Sequence, residues 1–358
     1  GMEVPALGGE LTFPEWGIPS VIRPPFQDIK EFDGEQLDTE ESPFPQVIDS
    51  YRMVSQALPE VAVVCNLEGP ITRAGILRGL DRLSLDMVRN PDVASDLVDY
   101  SLSLGRDFLL EAAQAADLSM AFIASASDNP SILGPELFRK HTLPGIGSLA
   151  RTASSLGLPA VVHPHGTFTS PPGEGLMGEL LDTGVEGVQL GEGNDLPLAK
   201  RTWGHRTCLM GGVDAFTTLL LGPEERVREE TGWYLEHCAP GGGYVFMCSC
   251  SLHRGLPLEH MEAMMRTCRS HGRYRRPGPG GSPGKGLFSM LLCPLCGERF
   301  PAIMARGKAC LGCRETVHGC PMVRCPTCDS TQPLPGGARR LSRLIASYLR
   351  EFGESPSR

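Results

Sequence analysis

The sequence predicts an α/β chain: a (β/α)8 barrel of the TIM type followed by a small C-terminal zinc-binding module. Three observations carry this. Short apolar runs alternate with helical stretches from residue 61 onward, and such alternation produces parallel strands joined by right-handed crossovers. Six or seven of these units suit an eight-stranded barrel. The rival, an open doubly wound sheet, is weakened because no G-x-G-x-x-G follows the first strand. Finally, seven of the 13 cysteines crowd between Cys293 and Cys328, mostly in C-x-x-C pairs.

Taken in order, residues 1–60 are rich in Pro, Gly and acidic side chains with little periodicity, so an irregular segment is expected. Gly1 ahead of Met2 reads as an expression scar. The barrel is expected over 61–274. Its strands are placed at 61–65, 118–124, 160–163, 185–190, 207–210 and 244–248. Its helices are placed at 91–115, 134–156, 174–183, 195–202, 222–237 and 257–270. Asn90-Pro91, Gly134-Pro135 and Gly222-Pro223 set Pro in a first helical turn, where its missing N–H costs nothing. Residues 275–287 are Pro- and Gly-rich and read as an extended linker. The cysteine module occupies 288–332. Residues 333–358 form an amphipathic helix with Leu341, Leu344, Ile345, Tyr348 and Leu349 on one stripe. Docking of that helix on its own domain is favoured over a partner.

Composition bounds the function. A hydrophobic fraction of 41% supports a core, and a charged fraction of 21% argues against global disorder. Residues 271–358 carry 14 basic and 5 acidic side chains, while residues 1–270 carry 19 and 37. Phosphate contacts need a positive surface, so a uniform nucleic-acid binder is excluded. No run approaches the ~20 apolar residues of a membrane span, and no secretory signal is visible. Clustered thiols without a secretory signal point to metal rather than disulfides, and to the reducing cytoplasm.

The module's ligand row is Cys293-x2-Cys296, Cys310-x2-Cys313, His318-x-Cys320 and Cys325-x2-Cys328. Each C-x-x-C aims two thiolates at one ion, and tetrahedral zinc takes four ligands. Eight candidates suit one or two ions. Paired and cross-braced ligand sets both fit the spacing, and an iron–sulfur cluster is the competing occupant. A fully ligated zinc leaves no open position, so the module is expected to fold and recognise rather than catalyse. Its knuckles lack interleaved aromatics, which disfavours nucleic acid as the partner.

The barrel has its own candidate site. His163-Pro164-His165 closes an apolar run, and residues i and i+2 of a strand face the same side. A late strand ends in Cys248-Ser249-Cys250. His163, His165 and either Cys250 or Cys248 give three ligands with an open fourth position, the arrangement of a catalytic zinc. The alternative is an ordinary hydrogen-bonded His pair beside buried thiols. Asn66, Glu68, Asp128, Glu192 and Asp214 fall at strand ends and are candidate pocket groups. Of these, Glu192, Asp128 and Asn66 are the catalytic candidates, with helix capping or loop hydrogen bonding as the alternative for each. Cys65, Cys208, Cys238 and Cys268 read as core or incidental thiols.

Residues 60–270 resemble the uroporphyrinogen decarboxylase superfamily, and within it the methylcobamide:thiol methyltransferase branch. The resemblance rests on a series: Asn66-Leu67-Glu68-Gly69-Pro70, then a helix and Met87-Val88-Arg89-Asn90-Pro91; Ser131 to Phe138 with His141-Thr142-Leu143-Pro144; Val161 to Gly166; Gly184 to Val188 with Asp195 to Lys200; Met210 to Asp214 with Leu221 to Glu225; and Gly243-Tyr244 through Pro257-Leu258-Glu259. It implies zinc on a His-x-Cys pair plus a late Cys. Here the pair is His163-x-His165, so imidazole replaces one thiolate. The late ligand maps to Cys250, six residues after Tyr244 and seven before Pro257. Two imidazoles and one thiolate leave zinc at +1 rather than neutral, which makes a bound thiol more acidic and its thiolate less nucleophilic.

The resemblance further implies a longer N-terminal part than this chain shows: either the barrel is shortened, or residues 1–60 or a partner subunit close the gap, and an open seam would expose strand edges that favour association, as in a homo-oligomer. Its implied activity is zinc-dependent methyl transfer between a corrinoid and a thiol. Glu192 is a candidate labile fourth zinc ligand, the corrinoid comes on a separate corrinoid protein, and the other substrate is a small thiol or its methylated form. The alternative is a non-catalytic corrinoid-, tetrapyrrole- or partner-binding protein on a degenerate barrel.

Overall fold

The computed structural model describes residues 1–15, 19–29, 32 and 44–272, with 290–292, 299–301, 322–325, 328 and 331–333 in the C-terminal part. The chain divides into two units, Gly1–Arg275 and Arg276–Arg358.

Six parallel strands in sequence order form the sheet of the first unit. They are β3 (Val64–Glu68), β4 (Met120–Ser125), β5 (Ala160–Pro164), β6 (Gly187–Gln189), β7 (Cys208–Gly211) and β8 (Tyr244–Phe246). β3 and β8 are its edges. Helices follow the strands in the alternating manner of a β/α barrel, so the fold class is the one the sequence predicts, with six barrel strands among the described residues. The connecting helices are α2 (Pro70–Arg78), α3 (Leu80–Arg89), α4 (Pro91–Ala115), α5 (Pro130–Leu137), α6 (Leu143–Ser155), α7 (Leu176–Asp182), α8 (Leu196–Trp203), α9 (Glu224–Cys238) and α10 (Leu258–His271).

α4 shows why these segments are helical. Pro91 opens it. Ala94, Leu97, Val98, Ser101, Leu104, Gly105, Phe108, Leu109 and Ala112 then recur at spacings of three and four and are all buried. That stripe faces the core. Fully burying one Leu or Phe is worth ~1.5–3 kcal/mol, so the stripe, rather than helix propensity, decides the structure.

Three features depart from the sequence expectation. The N-terminal segment read as irregular contains a short antiparallel pair, β1 (Glu10–Thr12) with β2 (Ser20–Arg23), and a 14-residue helix, α1 (Phe44–Ala57). Phe44 of α1 packs on Phe108 of α4 with ring centroids 5.2 Å apart. The helix expected over 134–156 is three pieces. α5 kinks at Gly134, where φ is 75°, and a π-helical turn over Phe138–Thr142 joins it to α6. The strand expected over 185–190 is shorter at both ends, Gly187–Gln189, although Leu190 N–H still donates to the Met210 carbonyl.

Long-range ion pairs tie the N-terminal segment down. Arg73, 1% exposed, bonds Glu3 at 2.7 Å and Glu68 at 2.6 Å. Breaking such a buried pair from one side leaves an uncompensated charge.

In the second unit, β9 (Met290–Leu292) pairs antiparallel with β10 (Arg299–Pro301), and β11 (Met322–Arg324) with β12 (Thr331–Pro333). Cys325 is buried and Cys328 half-buried. The other proposed module ligands, Cys293, Cys296, Cys310, Cys313, His318 and Cys320, lie outside the described residues. So do the linker expected at 275–287 and the C-terminal helix beyond Pro333. Among the described residues, no helix is long and apolar enough to cross a membrane.

Candidate metal centre

β5 is buried along its whole length and delivers His163 at the carboxyl end of the sheet. His165 N–H still donates to the Ser125 carbonyl of β4, so His165 follows His163 on the same side of the extended chain. The two imidazole centroids lie 4.9 Å apart. Phe122 of β4 stacks against His163, with ring centroids 6.2 Å apart and planes 29° from parallel.

Cys250 arrives from beyond β8. That loop can approach because Gly212 carries no side chain: a Cβ there would meet the Met247 carbonyl at 2.6 Å. Ligand atoms of His163, His165 and Cys250 all lie within 4.8 Å of one another. The Cys250 sulfur is 3.7 Å from His165 Nε2. In a tetrahedral zinc site, bond lengths of about 2.05 and 2.3 Å place N and S roughly 3.6 Å apart, so this pair already has ligand spacing.

The tautomer of His163 is set by its neighbour. His163 Nδ1 lies 3.1 Å from the Gln189 backbone oxygen, which can only accept. The proton therefore sits on Nδ1, and Nε2 presents a lone pair, as a metal-binding imidazole must. His163 is 7% exposed, and its Nε2 has no hydrogen-bond partner. A buried polar atom left unpaired costs free energy, and a cation at the centre would satisfy it. The donor set thus fits a zinc-type ion.

Electrostatics follow the same geometry. The nearby His163 imidazole, with no hydrogen bond formed, and then the hydrogen bond to His165 hold the Cys250 thiol down to about 5. His165 is raised, chiefly by its bond to Cys250. In the metal-free pair the two shifts favour charge on the Cys250 sulfur and a proton on His165. Cys248 goes the other way, its thiol pushed up by burial. The Cys248 Sγ turns to the Cys250 carbonyl at 3.0 Å rather than to the histidines. Spacing left the two cysteines open; the geometry favours Cys250.

The three catalytic candidates sit elsewhere. Glu192 is not among the converging ligand atoms; its Oε1 accepts from the Ser249 hydroxyl. With Ser249 it lines a neighbouring cavity of about 250 Å3 bounded by Asp214, Arg226, Glu230 and Tyr234. Asp128 is buried and caps α2. It accepts from the backbone N–H groups of Ile71 and Thr72 at 3.0 and 3.1 Å, and from the hydroxyls of Thr72 and Thr142. Burial raises its carboxyl, with those donors opposing. Asn66 is exposed on the edge strand β3, and its N–H donates to the Tyr51 hydroxyl. Register aligns Asn66 with Phe122 and Val161, whereas Glu68 aligns with Ala124 and His163. Asn66 is therefore a two-residue step below the centre. Asp214 accepts from the N–H groups of Phe216 and Thr217 and shapes its own loop.

Gln189 was absent from the sequence-derived site. One signal was available: a lone carboxamide in a short apolar run must find partners if buried. It is 2% exposed, and its side chain donates to the carbonyls of Cys248 and Ser249 at 3.3 and 3.2 Å.

A uroporphyrinogen decarboxylase (URO-D) family model matches residues 2–271. The chain belongs to the uroporphyrinogen decarboxylase family. Within that family it is similar to a methylcobamide:CoM methyltransferase, MtaA, of Methanosarcina barkeri. The two are 24% identical over 252 residues, covering 69% of this chain and 70% of that protein. A methylated-thiol–coenzyme M methyltransferase of Methanosarcina mazei is 22% identical over 277 residues, covering 75% and 70%. The solved structure of a methyltransferase from Methanosarcina mazei superposes with a TM-score of 0.65 at 23% identity, covering 75% of this chain and 77% of the other. This uroporphyrinogen decarboxylase family member thus shares the fold of that structure.

Proposed function

We propose that the chain is a zinc-dependent methyltransferase that moves a methyl group between a methylcobamide and a thiol-type acceptor. The observation that carries this reading is the convergence of His163, His165 and Cys250 around an unpartnered, buried Nε2. The two relatives named as methyltransferases acting with methylcobamide or coenzyme M support the same class.

Zinc bound there would supply Lewis acidity at an open position, lowering the pKa of a coordinated thiol into the neutral range. The chain's own residues prepare for this. His163 directs its lone pair inward because its Nδ1–H is engaged by the Gln189 carbonyl. Cys250 has little proton to lose, being lowered to about 5. His165 is raised, so a proton on it competes with loading. Glu192 adds negative potential that favours the charged His165 beforehand. Asp128 contributes only by holding α2 in place, and Asn66 stands apart from the chemistry.

In this reading the corrinoid is carried by a separate protein docked at the mouth of the barrel. The C-terminal module, with one or two structural zinc ions of its own, recognises rather than catalyses. X-ray absorption at the zinc edge tests the reading. On adding a small thiol, one further sulfur at about 2.3 Å should enter the shell, and the change should vanish in His163→Ala. A spectrum indifferent to every thiol tried would contradict it.

A further inference from the structure

Two separate pieces of chain build the centre, the end of β5 and the loop after β8. Between them in the sheet stands β6, and one residue of β6 touches both. The backbone oxygen of Gln189 accepts from His163. Its carboxamide nitrogen spends both hydrogens on the carbonyls of Cys248 and Ser249, the two residues just before Cys250.

The same loop has other anchors, to β7 and the segment after it and to the loop after β6. Met247 N–H donates to the Gly211 carbonyl and Ser249 N–H to the Val213 carbonyl. The Ser249 hydroxyl accepts from Ala215 N–H and donates to Glu192. None of those bonds reaches a residue that also holds a histidine of the centre, whereas Gln189 ties the loop to the same residue that holds His163.

We propose that Gln189 is the positioning residue of the metal centre: its side chain holds the 248–249 backbone so that Cys250 meets His163 and His165, while its backbone fixes which nitrogen of His163 is the ligand. The inference rests on the metal-centre reading above. It separates two jobs within one residue, because substitution removes the carboxamide and leaves the carbonyl. Loss of an outer-shell partner of this kind lowers metal affinity about 10–100-fold.

The test uses the full-length protein in two variants, Gln189→Met and Gln189→Glu. Both keep the side-chain length, and neither offers two N–H donors. Metal-free protein is titrated with zinc and pulsed with iodoacetamide. Peptide mass spectrometry then reads the zinc concentration that half-protects Cys250, which ignores zinc held in the C-terminal module. Half-protection should move upward about 10–100-fold while the far-ultraviolet dichroism of the folded protein is unchanged. Half-protection within twofold of the parent in either folded variant overturns the inference. Should Gln189→Met fail to fold, Gln189→Glu decides. A parent in which zinc never protects Cys250 overturns the centre itself, a distinguishable failure. An independent reading needs no variant: long-range 15N–1H spectra of the parent should show His163 protonated at Nδ1, and the opposite tautomer would contradict the backbone half of the proposal.

Discussion

His163 gives its Nδ1–H to the Gln189 backbone carbonyl across 3.1 Å, and so presents a bare, buried Nε2 to the space it shares with Cys250. Neither residue could achieve this alone. A buried histidine would ordinarily satisfy both nitrogens, and here one is left for an ion.

Ligand identity is the first consequence. His163→Ala and Cys250→Ala should each remove one zinc equivalent from the intact protein, measured by elemental analysis. Cys248→Ala should retain it, since its sulfur faces the Cys250 carbonyl. Zinc lost only in the Cys248 variant would move the ligand by two residues.

The second concerns pH. An ordinary thiol titrates at about 8.5, so its alkylation slows about tenfold per unit below that. Cys250 is lowered to about 5, so in the metal-free protein it should react at nearly the same rate at pH 6 and pH 8. Cys65 is pushed up to about 12 by burial and should stay silent throughout. His165 is raised. Protons therefore compete for its nitrogen, and zinc affinity should weaken as pH falls through its titration. A Cys250 rate that rises steeply between pH 6 and 8 would contradict a Cys250 thiol held down by its imidazole neighbours.

Asp128 separates structure from chemistry. Asp128→Ala strands the N–H groups of Ile71 and Thr72, and unsatisfied buried donors cost ~1–3 kcal/mol each. Denaturant unfolding should show that loss, whereas zinc affinity of the folded variant should match the parent. A selective loss of activity at parental stability would restore Asp128 to the chemistry.

Arg73 makes the N-terminal segment part of the fold. Arg73→Met leaves the buried Glu3 only the N-terminal ammonium, 3.5 Å away, and breaking a buried pair from one side costs ~3–5 kcal/mol. The midpoint of urea unfolding should fall accordingly. An unchanged midpoint would mean that the N-terminal ammonium suffices to hold Glu3.

These residues also show what a sequence can reveal. The 25-residue α4 was legible to its ends because Asn90-Pro91 starts it and an apolar stripe runs its length. β5 was legible because an apolar run stops at His-Pro-His. α2 offered no stripe to read, since seven of its nine residues are buried. The histidine pair and a late cysteine could be named from spacing and resemblance, because metal ligands are restricted in type. Helix capping was open for Asp128, but the helix it caps could not be read, because its partners at Ile71 and Thr72 lie more than 50 positions upstream. Gln189 works through register: only the sheet order puts β6 between β5 and the β8 loop. Local pattern carries no information about either.

The central claim is that this centre activates a thiol for methyl transfer. The direct measurement is transfer of a trideuteromethyl group from trideuteromethylcobalamin to a panel of small thiols by the zinc-loaded protein, read by mass spectrometry of the product. The account predicts a labelled thioether from the parent and none above background from Cys250→Ser at equal folded concentration. No labelled product from any thiol, or equal product from the two proteins, would contradict it.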